Sequence, residues 1–284
     1  MPPSILQILI LGLVQGLAEP LPVSSSAHVI AAEKLMGIDP SSPEMTFMLI
    51  MLHTGSLGAV IVYFWAAWRR SFFSDAGSAR AVISHVAWAT VVTLALGYAL
   101  KVGIERMFLR GGDVEGLFSN LPLIAAALAA AGILIFAAGI LRTEGSADVK
   151  ESAKSSVWIG AIQGLCLPFR GFSRSGATIS LGMLLGIGKR RAEEFSFALV
   201  VVLTPFAIAV EGYRLLKARA GGAAAVHLGG LVIPGFLGMA CSFVAGLAAL
   251  RWLSRWLEQG RWSYFGIYCL VAALGILAMS HAGY

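Results

Sequence analysis

Gln15-Gly16-Leu17-Ala18-Glu19-Pro20-Leu21-Pro22-Val23-Ser24-Ser25-Ser26-Ala27-His28 breaks an apolar run with a carboxylate, three hydroxyls and an imidazole. It is answered later in the chain by Gln163 to Gly176, which ends Gly171-Phe172-Ser173-Arg174-Ser175-Gly176. Residues 4–19 are apolar, but they contain Gln15 and Glu19 and stop at Pro20 and Pro22. That leaves less than the roughly 20 apolar residues a membrane-crossing helix requires. The stretch predicts a re-entrant helix and then a second short helix from about Ser24 to Met36, with Ser24 or Ser25 as N-cap and Gly37 at its end. Broken helices at membrane depth persist only where protein or a water-filled cavity satisfies the freed backbone groups, so a cavity is predicted here.

The surrounding composition fits a polytopic membrane protein. Of 284 residues, 58% are hydrophobic and 13% charged, against about 25% charged in soluble domains, and the mean hydropathy is +0.81. The formal net charge of +6 does not point to nucleic acid, because the basic residues fall in short groups between apolar runs. Cys166, Cys241 and Cys269 lie in apolar surroundings without paired or metal-ligand spacing, so neither a disulfide framework nor a zinc site is expected. No Lys or Arg precedes Lys34, so the N-terminus lacks the basic region of a secretory signal and is expected to be retained.

Outward from the opening stretch, spans are predicted at about 45–65, 81–102 and 121–141, followed by a polar linker over 142–156 with Arg142, Glu144, Asp148, Glu151 and Lys154. A second re-entrant pair is expected over 157–185, then spans at about 194–215, 228–250 and 264–279. Ile10 to Pro20 laid over Trp158 to Pro168 matches Gly, Gln, Gly, Leu and Pro in place, and the same offset puts Ser25 on Ser173. Residues 1–141 and 157–284 therefore read as two repeats, each one re-entrant pair (4–36 in the first) plus three transmembrane helices. An odd number of crossings per half makes the repeat inverted, with the site near the midplane. The fold class is all-α. Basic residues crowd one side (among them Arg69, Arg70, Arg80, Lys189, Arg190, Arg191, Arg251, Arg255 and Arg261), which the positive-inside rule makes cytoplasmic, with both termini outside.

The two stretches carry the chemistry. Gln15 and Glu19 share a helix face, and an intramembrane ionisable group is by default functional. Ser25 at a helix N-terminus, one turn from His28, has the makings of an activated nucleophile. Ser173-Arg174-Ser175-Gly176 opens an apolar helix after Gly171, so backbone amides, helix dipole and a guanidinium fork face a common anion, with Arg170 close by. His53, within the first full span and followed by Thr54 and Gly55, is a candidate to line the same cavity, but a lone intramembrane histidine is read first as a packing or hydrogen-bonding residue.

These residues resemble the integral-membrane undecaprenyl-diphosphate phosphatases associated with bacitracin resistance. The resemblance rests on Gln15 to Glu19 (a Glu/Gln-x-x-x-Glu element), Leu21 to His28, and Gly171 to Ile179, and covers essentially the whole chain. It implies hydrolysis of undecaprenyl diphosphate to the monophosphate, recycling the carrier for cell-wall synthesis, in a multi-pass protein of the bacterial cytoplasmic (inner) membrane whose pocket opens to the periplasm. It also implies a divalent cation, Mg²⁺ ahead of Ca²⁺, with Glu19 as ligand and Gln15 acting through water. The chain departs from the pattern at Gln15, where many members carry Glu, and at Arg170, which replaces a Pro.

On this reading Ser25, His28, Glu19 and Arg174 are catalytic, and Gln15, Ser24, Ser26, Arg170, Gly171, Ser173, Ser175, Gly176 and Thr178 bind substrate. The nucleophile is Ser25, His28 or water. The partners are a polyprenyl diphosphate lipid and membrane lipids, with no nucleic acid; a homo-oligomer is compatible with the reading. A polyprenyl-phosphate transporter or flippase is the rival class, since inverted repeats with broken helices are typical of transporters. A lipid phosphatase of the acid-phosphatase type is disfavoured, because no second Arg is followed by His-x-x-x-Asp.

Overall fold

Ser4 opens helix α1 (Ile5–Ala18): its hydroxyl accepts the Gln7 amide while the Gln7 side chain accepts the Ser4 amide, satisfying two donors that a helix start otherwise leaves orphaned. Pro20 and Pro22, which lack N–H groups, stop it. The chain then turns at Ser24, the one non-glycine residue at positive φ (66°) among the described residues, into α2 (Ser25–Leu35). Ser24 occupies the expected N-cap place, but its hydroxyl does not cap. Its φ of 66° takes it out of the extended conformation a capping side chain needs, and its hydroxyl faces that of Ser26 at 3.3 Å. Gly37, at φ 68°, closes α2 as expected.

The computed structural model describes residues 3–40, 42–107, 114–141, 150–220 and 228–284. Its further helices are α3 (Pro43–Ser71), α4 (Ala76–Met107), α5 (Leu121–Leu141), α6 (Ala153–Cys166), α7 (Arg174–Leu184), α8 (Lys189–Ala220), α9 (Val232–Glu258) and α10 (Trp262–His281). Every regular element among the described residues is helical. Six helices, α3, α4, α5, α8, α9 and α10, are long and apolar enough to cross a membrane. They coincide with the six expected spans, but most run past the expected ends. Hydropathy marks only the apolar centre of a span, whereas the helix continues into turns where polar groups are favoured, as Arg69 and Arg70 are at the C-terminal end of α3.

The expected polar linker needs correction at its end. Arg142, Glu144 and Asp148 lie outside the described residues. Glu151, expected to be solvated, is buried and accepts two hydrogen bonds from the Arg191 fork at 2.6 and 2.7 Å, while that guanidinium lies over the Phe72 ring at 4.3 Å. α6 begins at Ala153, earlier than expected, because Ser152 and Ser155 form a reciprocal cap.

The core is apolar, built around residues such as Phe64, Trp68, Phe195 and Phe197, but the outward faces of the spans are apolar as well. Trp88, Val91, Leu94 and Tyr98 face outward from α4, while Ser56, Thr93, Ser180 and Ser242 are buried. Small residues let the short helices approach the long ones. α1 packs on α9, with Gly12 and Gly16 against Gly238, Cys241, Ser242 and Ala245, and α6 packs on α4, with Gly160 and Gly164 against Ala89, Thr93 and Gly97. A Cβ on Gly16 or Gly160 would strike the carbonyl of Ser242 or Ala89.

Side-chain bonds define the two ends of the bundle. At one end the Ser71 hydroxyl donates to Glu194 (2.6 Å), Ser254 to Glu193 (2.6 Å) and Tyr63 to Ser254 (3.0 Å), bringing together the end of α3, the start of α8 and the end of α9. At the opposite end Gln7 Nε2 donates to the Met36 carbonyl at 3.3 Å, joining the start of α1 to the turn after α2.

Candidate active site

α1 and α2 form one hairpin and α6 and α7 the other, and the N-termini of α2 and α7 meet beside the last residue of α1's final turn. Glu19 is the hub. Arg174 Nη2 donates to its Oε1 (2.5 Å), and the Ser25 hydroxyl (2.5 Å) and Gln15 Nε2 (3.0 Å) both donate to its Oε2. His53 Nε2 stands 3.8 Å from the same Oε2. The Glu19 carboxylate is thereby buried with a cation, a hydroxyl and an amide around it, the condition under which a charge survives in a low-dielectric interior.

The hub floors a cavity of about 290 Å³ that extends past Ser24, Ser25, Ser26, Ser173, Ser175 and Arg170 towards Glu33, Pro40, Met45 and Glu211. Those outer residues lie towards the end where α1 begins and α3 starts. Ser25 and Arg174 are the first residues of their helices, so the unpaired amides and positive dipole ends of α2 and α7 converge on the cavity. Arg170 lies over the Phe118 ring at 4.5 Å and acts electrostatically on Glu33.

Local sequence explains the placement. Gly171 holds φ 105°, and a Cβ there would run into the Ile124 carbonyl, so only glycine lets the α6–α7 loop pass α5. Its amide donates to the Ser26 hydroxyl at 3.4 Å, tying the two hairpins together. Ser173 caps α7 by accepting the Gly176 amide at 3.2 Å. The Ser175 hydroxyl donates to the Leu21 carbonyl at 3.3 Å.

Of the residues expected at the site, Gln15, Glu19, Ser24, Ser25, Ser26, Arg170, Ser173, Arg174 and Ser175 line the cavity. Gly171, Gly176, Thr178 and His28 are not among the residues that line it. Gly176 packs against Ile135, and the Thr178 hydroxyl is engaged with the Arg174 carbonyl (2.9 Å) and the Ser196 hydroxyl (2.6 Å), so both support α7 from behind. His28 turns away from Ser25. Its Nδ1 meets the Ser24 carbonyl at 2.8 Å and must carry the proton, leaving Nε2 of the neutral ring to accept the Tyr268 hydroxyl at 2.7 Å. Its ring also stacks on Tyr268.

The imidazole facing the hub is that of His53, the weaker of the two readings its sequence setting allows. Its Nδ1 donates to the Leu49 carbonyl at 3.0 Å, so Nε2 is the nitrogen presented to the cavity. Glu33, Thr204 and Glu211 also line the cavity without having been singled out. The signal for His53 was its position inside an apolar span; spacing from the Ser-Ser-Ser stretch gave none. Two polar atoms of the lining, Gln15 Oε1 and Thr204 Oγ1, are buried without a partner. A guanidinium, helix amides and a hydroxyl already hydrogen-bonded to a carboxylate are the groups that phosphoryl transfer to serine requires.

Comparison with known proteins agrees with this chemistry. The family model described as "Bacitracin resistance protein BacA" matches residues 8–275. The chain is 54% identical over 282 residues to "Undecaprenyl-diphosphatase 2" of Acinetobacter baylyi, covering 98% of each chain. It is 34% identical over 274 residues to "Undecaprenyl-diphosphatase" of Desulfosudis oleivorans (94% of this chain, 95% of the other). It is 32% identical over 282 residues to "Undecaprenyl-diphosphatase" of Desulfatibacillum aliphaticivorans (96% and 97%).

Proposed function

Since the chain belongs to the bacitracin resistance protein BacA family, we propose that it is a multi-pass membrane phosphatase that hydrolyses undecaprenyl diphosphate to undecaprenyl phosphate and phosphate. The observation that carries this reading is the meeting of Ser25, Arg174 and Glu19 in one cavity at the N-termini of two helices. The terminal phosphate enters between those N-termini and competes with Glu19 for Arg174. With the guanidinium drawn onto phosphate oxygens, Glu19 takes the proton of the Ser25 hydroxyl it already accepts. Ser25 Oγ bonds to the terminal phosphorus as the bridging P–O bond breaks, and the proton passes to the departing lipid monophosphate. Water then attacks the phosphoserine, returning one proton to Ser25 Oγ and releasing phosphate. Ser24, Ser26, Ser173 and Ser175 supply the polar walls, and Arg170, nearer the mouth, faces the lipid-linked phosphate. His53 assists at Glu19; His28 holds α2 against α10.

The divalent cation implied by the resemblance does not find a ligand set among the described residues. Among the described residues no three His, Cys, Asp or Glu side chains converge, and both Glu19 oxygens are engaged.

The two halves are read as inverted repeats in the bacterial inner membrane. Support comes from the reciprocal packing of α1 on α9 and α6 on α4 through equivalent glycines. The Arg-rich end is taken as cytoplasmic and the cavity mouth as periplasmic, on the bias of basic residues. The test is phosphate release by purified protein in detergent from undecaprenyl diphosphate, diacylglycerol diphosphate and phosphatidate. Rapid release from the first alone is expected. No release, with no membrane to cross, would favour a transporter, and equal release from all three would make the specificity general.

A further inference from the structure

A second charged recess lies at the end of the bundle opposite the catalytic mouth. The last turns of α9, the turn after it and the start of α10 form a groove of about 490 Å³ lined by Arg251, Trp252, Arg255, Trp256, Gln259 and Arg261. All three arginines are exposed. Among the described residues none of them forms an ion pair, and Glu258, on the same turn, pairs with none of them. At this end Arg191 is matched with Glu151 and Arg190 with Glu194, whereas Arg69, Arg70 and Arg80 are exposed and, like the groove arginines, form no ion pair among the described residues; the groove arginines differ in lining one recess together with Trp252 and Trp256. Three arginines against the single carboxylate of Glu258 on the same turn leave the groove net positive, so it attracts an anion.

The neighbouring aromatics say where that anion lies. Trp252 and Trp256 meet edge to face, and Trp256 meets Tyr264 in the same way. Indole and phenol rings in such a cluster sit at the boundary between acyl chains and headgroups. The anions concentrated at that depth are lipid phosphates, and a guanidinium fork matches two phosphate oxygens at once.

We infer that this groove binds the headgroup of an acidic phospholipid, its phosphodiester held by Arg251, Arg255 and Arg261 and its glycerol against Trp252 and Trp256. A zwitterionic headgroup fits less well, because its ammonium would add a fourth cation to the cluster. The site is separate from the catalytic cavity, with which it shares no lining residue. α9 also backs α1 at Gly16, and α10 carries Tyr268 to His28.

The experiment measures the thermal unfolding midpoint in nanodiscs of phosphatidylcholine alone and of phosphatidylcholine with phosphatidylglycerol. Wild-type protein is expected to gain roughly 3 °C or more from the acidic lipid. The variant R251Q/R255Q/R261Q loses most of that gain. R69Q/R70Q/R80Q, altered at the same end outside the groove, keeps it, and inorganic phosphate added to phosphatidylcholine discs does not reproduce it. The inference is overturned if the groove variant keeps the gain, if the control variant loses as much, or if free phosphate suffices. Should the groove variant fail to fold, wild-type protein still decides: a photoactivatable phosphatidylglycerol must label segment 251–261, with competition by unlabelled phosphatidylglycerol and not by phosphatidylcholine. Labelling confined to other segments overturns it as well.

Discussion

Arg174 Nη2 rests 2.5 Å from Glu19 Oε1, joining the first residue of α7 to the end of α1 across the cavity. The pair neutralises the Glu19 carboxylate, and on the proposed function it also holds the phosphate-binding cation in reserve. Arg174→Ala is expected to lower phosphate release about a thousandfold, the scale of removing a donor aimed at developing charge. It also leaves Glu19 buried without its cation, at a cost of about 3–5 kcal/mol. Adding Glu19→Gln should recover much of the unfolding midpoint but none of the turnover. A single variant as stable as wild type would mean that Glu19 has another counter-charge.

Ser25 donates to Glu19 at 2.5 Å and stands at the start of α2. Ser25→Ala is expected to abolish measurable turnover while leaving the Glu19–Arg174 pair and the fold intact. Acid quenching during turnover, followed by mass spectrometry, should place phosphate on Ser25. Phosphate on a histidine would move the nucleophile, and isotopic oxygen from water appearing in product without any phosphoenzyme would remove the covalent step.

His53 Nε2, not the His28 ring, stands beside Glu19. His28→Phe keeps the stack on Tyr268 and should hold activity within about tenfold of wild type, with a lower unfolding midpoint from two lost hydrogen bonds. His53→Ala should cost more, about a hundredfold, as loss of a proton-transfer partner does. The opposite order in a phosphate-release assay would require α2 to rotate on binding substrate.

Why the sequence led directly to Glu19, Ser25 and Arg174 and only weakly to His53 follows from what each signal encodes. A charge or hydroxyl cluster in an apolar chain is costly wherever the fold puts it, so it announces a site without reference to its neighbours. One-turn spacing places His28 on the same stretch as Ser25, but Ser25 reaches back to Glu19 while His28 meets a tyrosine 240 residues away. Glu151 is a similar case. Its setting reads as solvated linker, and only the approach of Arg191 and Phe72 from distant segments makes burial tolerable. The six spans were legible because length and hydropathy are local, and their extra turns were not, because the interface tolerates polar helix.

Gln15 bears on the cation. Its Nε2 donates to Glu19 while its Oε1 is buried without a partner, so one carboxylate and one amide stand where a metal would ask for more anionic oxygen. Titration with Mn²⁺ in the absence of substrate is expected to give no binding by the wild-type protein. Gln15→Glu should bind at least about tenfold tighter, since a second carboxylate beside the first gains from a shared cation. Wild-type binding as tight as the variant's would restore a protein-held ion.

Gly16 decides whether α1 reaches α9. A side chain there meets the Ser242 carbonyl and the Ala245 methyl, and α1 carries Gln15 and ends at Glu19, so a displaced helix misplaces the hub. Gly16→Leu should therefore lower stability by about 1–3 kcal/mol and phosphate release with it. Gly164→Leu, against Thr93 and Leu96 of α4, should do the same through the loop that carries Arg174. Gly212→Ala, with open space around it, serves as the neutral control. Loss of activity in both the α1 and α6 variants is what two equivalent hairpins presenting two halves of one site demand. Tolerance at Gly164 with damage at Gly16 would show that the hairpins are unequal, and that the phosphate clamp is held by α5 and Gly171 rather than by the packing of α6 on α4.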